Sequence, residues 1–208
     1  MNADTANSSC PARVGRADTR SQLLQVGAEL ISTQGYNNTG IKAILDAAGV
    51  PKGSFYYYFA SKEDFGLAVI EHFDAHYQDK LDRILDDDAV APLERLRNFL
   101  EAGITEMGAG DFARGCLMGN LAQELAGQNA AFRERLQEVF SGWTARFAEC
   151  LATARRRGDL APDSEPEQLA EFLLVGWEGA VLRAKVTRDP QPMQAFRDTF
   201  FERVLARA

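Results

Sequence analysis

The chain has 208 residues, 46% of them hydrophobic and 25% charged, with a net charge of -7. That suits one large domain, or a small domain joined to a larger one, with a core that needs no staples. No apolar run approaches the roughly 20 residues needed to cross a bilayer, and residues 1–9 are polar, without a hydrophobic signal core. The three cysteines, Cys10, Cys116 and Cys150, are too scattered for a disulfide framework or a zinc pattern. The expectation is therefore a cytoplasmic protein with reduced thiols, neither secreted nor membrane-bound.

Nearly every segment reads as helix. Residues 1–17 form an arm carrying Arg13 and Arg16, expected to be flexible. From Asp18 onward, Leu23, Leu24, Val26, Ala28, Leu30 and Ile31 recur at spacings near 3.6. This predicts an amphipathic first helix closed at Gln34-Gly35, with Gly35 suited to a left-handed conformation. Thr39 is placed to cap a second helix bearing Ile41, Ile44 and Leu45, which Gly49 breaks. Pro51 fits the first turn of a third helix, where its missing N–H costs nothing. Ser61 is placed to cap a fourth, with Asp64 three residues on, running to about Leu85. Further amphipathic stretches cover roughly 91–107, 112–126, 129–157, 165–187 and 191–206. The breaks between them are Asp86-Asp87-Asp88 (read as a solvated linker), Gly108-Ala109-Gly110, Gly127, residues 158–162 and Asp189-Pro190. No period-2 alternation long enough for a strand is present. The prediction is an all-α fold of about nine helices: the arm, a three-helix unit at 18–65 and a larger helical unit at 66–208.

The acidity is not evenly spread. Between Cys10 and Phe65 the bases Arg13, Arg16, Arg20, Lys42, Lys52 and Lys62 outnumber the acids by one, whereas residues 66–208 alone carry a balance of -7. A polyanion partner is therefore compatible with the first quarter of the chain and not with the rest. That quarter holds the most informative run, Thr39 to Asp64. Two short helices separated by Gly49 match a helix-turn-helix, whose second helix enters the major groove. Ile44, Leu45, Ala48 and Val50 would pack the two together. Lys52, Gly53, Ser54, Tyr56, Tyr57 and Tyr58 are left facing outward, with Lys62 just beyond. Lys52 can reach a guanine edge or a phosphate, Gly53 lets backbone approach DNA, and the hydroxyls can donate to phosphates. An aromatic core segment is the competing reading. Three consecutive tyrosines between Phe55 and Phe59 cannot all face one core from one helix.

From about Arg20 to Lys62 this stretch resembles the TetR family of transcriptional regulators. The resemblance rests on the Gly49-Val50 turn, the Lys-Gly-Ser-hydrophobic-Tyr run from Lys52 to Phe59, and the Ser61-Lys62-Glu63 cap. It implies that Thr39, Lys42, Lys52, Ser54, Tyr56, Tyr57, Tyr58 and Lys62 contact DNA, mostly phosphate, with Phe55 and Phe59 in the core. Leu45 stands where the family often has alanine, which implies a slightly different helix crossing.

Readers of this kind bind as two-fold dimers on half-sites about 34–36 Å apart, so a homodimer through the last two helices is expected. Leu169, Phe172, Leu173, Val175, Gly176, Gly179, Ala180 and Leu182 form one candidate face; Phe196, Phe200, Phe201 and Val204 form the other. The family resemblance also implies dimerisation here. Arg114 to Leu121 and Gly176 to Lys185 resemble a branch of the family that senses acrylate and other electrophiles. The implied effectors are acrylate-type acids or thioesters, aldehydes and quinones. Cys116 lies near a helix amino terminus, where the dipole lowers a thiol pKa, and a thiolate there would be a competent Michaelis donor. A small buried apolar cysteine is the plainer alternative. Phe112, Met118, Trp143 and Trp177 are candidate walls of an effector pocket, with Asn120, Glu124, Glu178 and Arg183 as candidate orienting groups.

Little else carries chemistry. His72 and His76 stand at i, i+4 without a third ligand in view, so no metal is expected; Arg155-Arg156-Arg157 complements a helix end. No nucleophile–base spacing, phosphate loop or cofactor motif appears, so the chain is not read as an enzyme and no cofactor is expected. The reading is a ligand-responsive repressor with operator DNA and a small effector as partners. A helical protein-interaction adaptor and an electrophile-modifying enzyme are the rivals.

Overall fold

The computed structural model describes residues 16–207, so all but the last two positions of the expected arm, Cys10 included, lie outside the described residues. Those residues form nine α-helices and no strand. Helix α1 spans Arg16–Gln34 and buries Leu23, Leu24 and Ile31. Gly35 ends it with φ of 85°. Helix α2 covers Ile41–Ala47 and begins from Gly40, not from a Thr39 side-chain cap. Thr39 is fully buried; its Oγ1 donates to the Gly35 carbonyl at 2.6 Å and accepts from Gln34 Nε2 at 3.2 Å. The hydroxyl closes the turn behind it because the dry site demands a partner for it.

After Gly49, at φ 64°, one 3-10 turn at Lys52–Ser54 leads into the four-residue α3, Phe55–Tyr58. Helix α4, Lys62–Leu85, then runs 24 residues, about 36 Å at 1.5 Å per residue. Its start is a reciprocal box: Asp64 N–H donates to Ser61 Oγ at 3.0 Å, and Ala60 N–H donates to the Asp64 carboxylate at 2.8 Å. The 65/66 division falls inside this helix.

Helix α5 spans Pro92–Ala109, and α6 spans Leu117–Leu125. The helix expected from Phe112 starts five residues late. Asp111 and Phe112 both adopt φ near 52°, and Gly115 adopts 74°, so residues 110–116 form a loop. Helix α7, Ala130–Arg157, is capped by Asn129 and ended by the left-handed Gly158. Helix α8 is Pro166–Thr187; α9 is Gln191–Thr199, prolonged by a π turn at Phe200–Val204 and a 3-10 turn at Leu205–Arg207.

Charged side chains fix α4 against α7. Arg135 holds Glu71 at 2.9 Å and Asp74 at 3.2 Å, Trp143 Nε1 donates to Asp74 at 3.1 Å, and Arg146 holds Asp82 at 2.6 Å and Asp86 at 2.8 Å. Asp86-Asp87-Asp88 is therefore more than a solvated linker. The buried Arg95 donates to the carbonyls of Leu85 and Val90 and to Asp88, so the α4–α5 turn is folded around one guanidinium.

Close approach sets the crossing of α4 with its neighbours. At Gly66 a Cβ would lie 2.6 Å from ring atoms of both Tyr36 and Phe132, whose rings meet edge to face at 5.2 Å. Gly66→Ala is expected to cost about 1–3 kcal/mol through overpacking. Urea unfolding should show a lower midpoint at unchanged slope. A wild-type midpoint would mean that the two rings move aside freely.

Candidate DNA-reading face and effector cavity

The second helix of the helix-turn-helix is short but sharply two-sided. Phe55 and Phe59 are buried, and both pack on the Phe65 ring, at 5.5 and 4.9 Å. Tyr56 and Tyr57 point outward, 69% and 60% exposed. Tyr58 is half-buried, edge-on to Tyr57 at 5.1 Å. Lys52 and Gly53 are exposed, Ser54 is half-buried, and nothing lies within 4 Å of where a Gly53 Cβ would be. Lys42 is exposed and paired with Asp46 on its own helix. Such an exposed pair is weak against water and salt, so the ammonium can be redirected to a phosphate.

Two expected contacts are placed otherwise. Thr39 is buried in the turn behind α2. Lys62 folds back: its Nζ donates to the carbonyls of Tyr36 at 2.7 Å and Asn37 at 3.3 Å and stands 4.5 Å from the Tyr36 ring centre. Two carbonyls and an aromatic face already solvate that ammonium, and its burial lowers the Lys62 pKa. The outer face thus keeps Lys42, Lys52, Gly53, Ser54, Tyr56, Tyr57 and Tyr58.

At the other end of α1 lies a cavity of about 400 Å³. Ala28, Glu29 and Ser32 of α1 form one wall; Phe73, Tyr77 and Lys80 of α4 form another; Phe99, Gly103 and Glu106 of α5 a third. Gly110, Arg114 and Gly115 of the α5–α6 loop, Cys116 and Leu117 at the head of α6, Trp177, Glu178 and Val181 of α8, and Met193 of α9 complete it. Gly103 admits the indole, since a Cβ there would lie 2.7 Å from the Trp177 ring.

Of the nine expected effector residues, Cys116, Trp177 and Glu178 line this space and six, Glu124 among them, do not. Met118 is fully buried in the core. Trp143, also buried, stacks 4.1 Å behind Tyr77 with its N–H held by Asp74. Phe112 is tucked under Gly108, and Arg183 is exposed. Asn120 is a brace: its Nδ2 donates to the Arg114 carbonyl at 2.9 Å and its Oδ1 accepts from Lys185 Nζ at 3.3 Å. Phe112 is displaced because it falls in the α5–α6 loop and not on a helix, whereas Met118, Asn120, Trp143 and Arg183 lie on helix faces turned away from the cavity. The α4 and α5 walls were missed. Phe73, Tyr77 and Lys80 do share one stripe at i, i+4, i+7, a signal in principle available. Lys80 is buried, donates to Glu106 at 2.7 Å and stands 5.6 and 5.5 Å from the Tyr77 and Phe99 ring centres.

The chemistry of the thiol differs from expectation. Cys116 is the cap of α6, and Gly119 N–H does donate to its Sγ at 3.5 Å. Burial nevertheless pushes the thiol pKa well above the ordinary value, and the neighbouring Glu178 pushes it further; the Gly119 amide opposes them and loses. Burial also raises Glu178, a shift opposed by its hydrogen bond to the Cys116 thiol. Tyr77 is raised by the same burial. The cavity therefore presents a protonated thiol next to a carboxylate inside an aromatic box. His72 and His76 stand elsewhere, ring centres 4.4 Å apart, and among the described residues no group of three potential metal ligands occurs.

A helix-turn-helix with an outward aromatic-basic face, a cavity one helix away and a single helix running past both define a one-component DNA-binding regulator. The chain belongs to the TetR family: residues 23–69 match the bacterial regulatory proteins of the tetR family, and residues 92–200 match the tetracyclin repressor-like C-terminal domain. It is 44% identical to the transcriptional regulator AcuR of Cereibacter sphaeroides over 86% of this chain and 81% of AcuR. It is 32% identical to the transcriptional repressor NemR of Escherichia coli K12 over 85% of this chain and 89% of NemR. The crystal structure of a regulatory protein TetR from Rhodobacter sphaeroides superposes with a TM-score of 0.84 at 43% identity, covering 88% of this chain and 96% of that one. The protein is thus a transcriptional regulator and not an enzyme. No helix among the described residues is long and apolar enough to cross a membrane.

Removing one phosphate contact lowers affinity for every sequence alike and flattens its salt dependence. Lys52→Ala should therefore weaken duplex binding both with and without the preferred sequence, and should reduce the log-log salt slope by about 1. Titrations at several salt concentrations read this directly; an unaltered slope would remove Lys52 from the phosphate contacts.

Proposed function

We propose that this protein is a homodimeric repressor in which residues 18–65 read the operator and residues 66–208 pair and bind an effector. Capture of a small α,β-unsaturated carbonyl compound by Cys116 releases it from DNA in the cytoplasm. The observation that carries this reading is that the Cys116 thiol and the Glu178 carboxyl line the same cavity, walled partly by α1 of the DNA-reading unit. The names of its relatives, a regulator AcuR and a repressor NemR, agree with it. So do the aromatic walls, Phe73, Tyr77, Phe99 and Trp177, which suit a flat conjugated molecule, with Lys80 and Arg114 beside them as partners for its oxygen atoms.

The chemistry balances without a co-reactant. The thiol proton passes to the Glu178 carboxylate, Sγ bonds to the β-carbon, and the olefin electron pair moves toward the carbonyl. The α-carbon then takes a proton back, so S–H has added across C=C and nothing leaves. A stoichiometric thioether of this kind is a signal and not a turnover.

N-ethylmaleimide is the convenient probe. Cys116→Ser should bind operator like the wild type and fail to be released by it. Because the thiol pKa is raised, the wild-type alkylation rate should climb with pH through 7–9 without levelling off, as followed by intact mass. Release of Cys116→Ser equal to that of the wild type would rule out covalent capture.

Dimerisation has its own signature on α8. Phe172, Val175, Gly179, Leu182 and Val186 are all exposed, and their 3-4-3-4 spacing is an a/d seam. Beside it runs a groove of about 650 Å³ between α7 and α8, floored by Phe140, Ala148 and Leu174. The α9 phenylalanines contribute less than expected. Phe200 is buried in its own subunit, and Phe196 lies where a Cβ on Gly176 would be, 2.2 Å from its ring. A second copy docked along the α8 seam gives the two-fold arrangement that a palindromic operator requires. Leu182→Asp should shift sedimentation from dimer to monomer and abolish operator binding while leaving the helical circular dichroism intact; a dimer that persists would move the interface elsewhere.

A further inference from the structure

Glu124, in the last turn of α6, lines no part of the effector cavity. Its carboxylate instead accepts from the backbone N–H of Tyr36 at 2.7 Å and of Asn37 at 2.6 Å, residues far away in the chain. The carbonyls of the same two residues accept from Lys62 Nζ. Two consecutive residues are thus suspended between a carboxylate that takes their N–H groups and an ammonium that takes their carbonyls, and the peptide unit joining them is held on both sides. Hydrogen bonds with a charged partner are about twice as strong as neutral ones. The Tyr36 hydroxyl adds a bond to the Lys62 carbonyl at 2.9 Å. Gly35 permits the approach: it has φ of 85°, and a Cβ there would lie 3.1 Å from the Glu124 carboxylate.

The position of this clamp matters more than its strength. Residues 36–37 connect α1 to α2, the entry of the helix-turn-helix. Lys62 is the first residue of α4, directly after the recognition helix α3, at its exit. The far end of α6 is capped by Cys116, eight residues or about 12 Å from Glu124 along the axis. Midway, Asn120 Nδ2 reaches toward the Ser32 carbonyl of α1 at 3.4 Å. The Cys116 end is crowded: Glu178 Oε2 lies 2.3 Å from where a Cβ on Gly119 would be. An adduct on the thiol that outgrows the cavity therefore presses on α6 where it meets α8. A nine-residue helix moves as a rod, and hydrogen bonds as short as those of Glu124 do not survive displacement of an ångström unchanged.

We propose that Glu124 is the positioning residue that couples α6 to the recognition helix: it holds the 36–37 loop and, through Lys62, sets the angle at which α3 is presented to DNA. The input end of this strut rests on the effector reading above; its output end does not.

The test compares wild type, Glu124→Ala and Glu124→Gln as full-length dimers, on a duplex selected from random-sequence DNA by the wild type. N-ethylmaleimide is the probe. Glu124→Ala should change the operator Kd at least about five-fold, the lower end of ordinary coupling between sites. Glu124→Gln, which keeps one acceptor oxygen, should change it less. Intact mass should show Cys116 alkylated at the wild-type rate in both variants. The ratio of Kd after alkylation to Kd before should fall toward one in Glu124→Ala. Wild-type Kd and ratio in Glu124→Ala would overturn the proposal. So would a changed Kd with an unchanged ratio, which lost stability alone would produce, or slowed alkylation, which would place Glu124 at the thiol. If N-ethylmaleimide fails to release the wild type, the effector reading falls and the strut is judged by its output end. Faster hydrogen exchange at the Tyr36 and Asn37 amides together with the altered Kd then supports it, and wild-type values of either overturn it.

Discussion

Helix α4 cannot move alone, and most of the architecture follows from that. Its first turns bury Phe65, Val69 and Ile70 beneath the DNA-reading unit, and its last turns bury Leu81 and Leu85 in the larger unit. Between them it gives Phe73, Tyr77 and Lys80 to the cavity wall. Arg135, Trp143 and Arg146 hold its acidic side to α7 at three levels, and Arg95 locks its end. Packed interiors shift between discrete arrangements and do not deform smoothly. A helix shared by two sites therefore gives them a common rigid wall, against which the α6 contacts with the 36–37 loop act.

The two sites handle charge in opposite ways. On the reading face, Lys42 and Lys52 stay in water, where phosphates can recruit them. In the cavity, Lys80 is matched by Glu106 and boxed by two rings, while burial keeps the Cys116 thiol and the Tyr77 hydroxyl protonated. A helix amino terminus offers a thiol about 1 kcal/mol of stabilisation as thiolate. Removing that thiolate from water beside a carboxylate costs more, which is why the cap position alone does not make Cys116 acidic. A group that is protonated at rest needs its base close by, and Glu178 is the acidic neighbour that the fold provides.

Much of the fold could be read from side-chain periodicity. Helix α1, the turn at Gly49, the Ser61–Asp64 box and the long helices after Asn129 follow from local rules that the tertiary structure left intact. Local rules failed where one residue had two plausible partners. Thr39 could cap a helix or close a turn, and burial chose the turn. Lys62 could reach a phosphate or the Tyr36 and Asn37 carbonyls, and the carbonyls were already in place. The stretch from Phe112 carried an apolar helical pattern, yet two residues with positive φ turned it into a loop. Within α6 the ordinary helical turn, about 100° per residue, separates Cys116, which faces the cavity, from Met118 and Asn120, which do not.

What the sequence determined by itself was the class of molecule: an all-α chain with a helix-turn-helix, because caps, turn glycines and the split between Phe55/Phe59 and the three tyrosines are encoded within a few residues of one another. What only the tertiary structure decided was which side chains meet across the helices. Cys116 with Glu178, Glu124 with the 36–37 loop, and Asp74 with Arg135 and Trp143 join residues some 60 to 90 positions apart. Helical periodicity says which face a residue occupies but not what stands opposite. That depends on the crossings, set here by glycines such as Gly66 and Gly103 lying against aromatic rings.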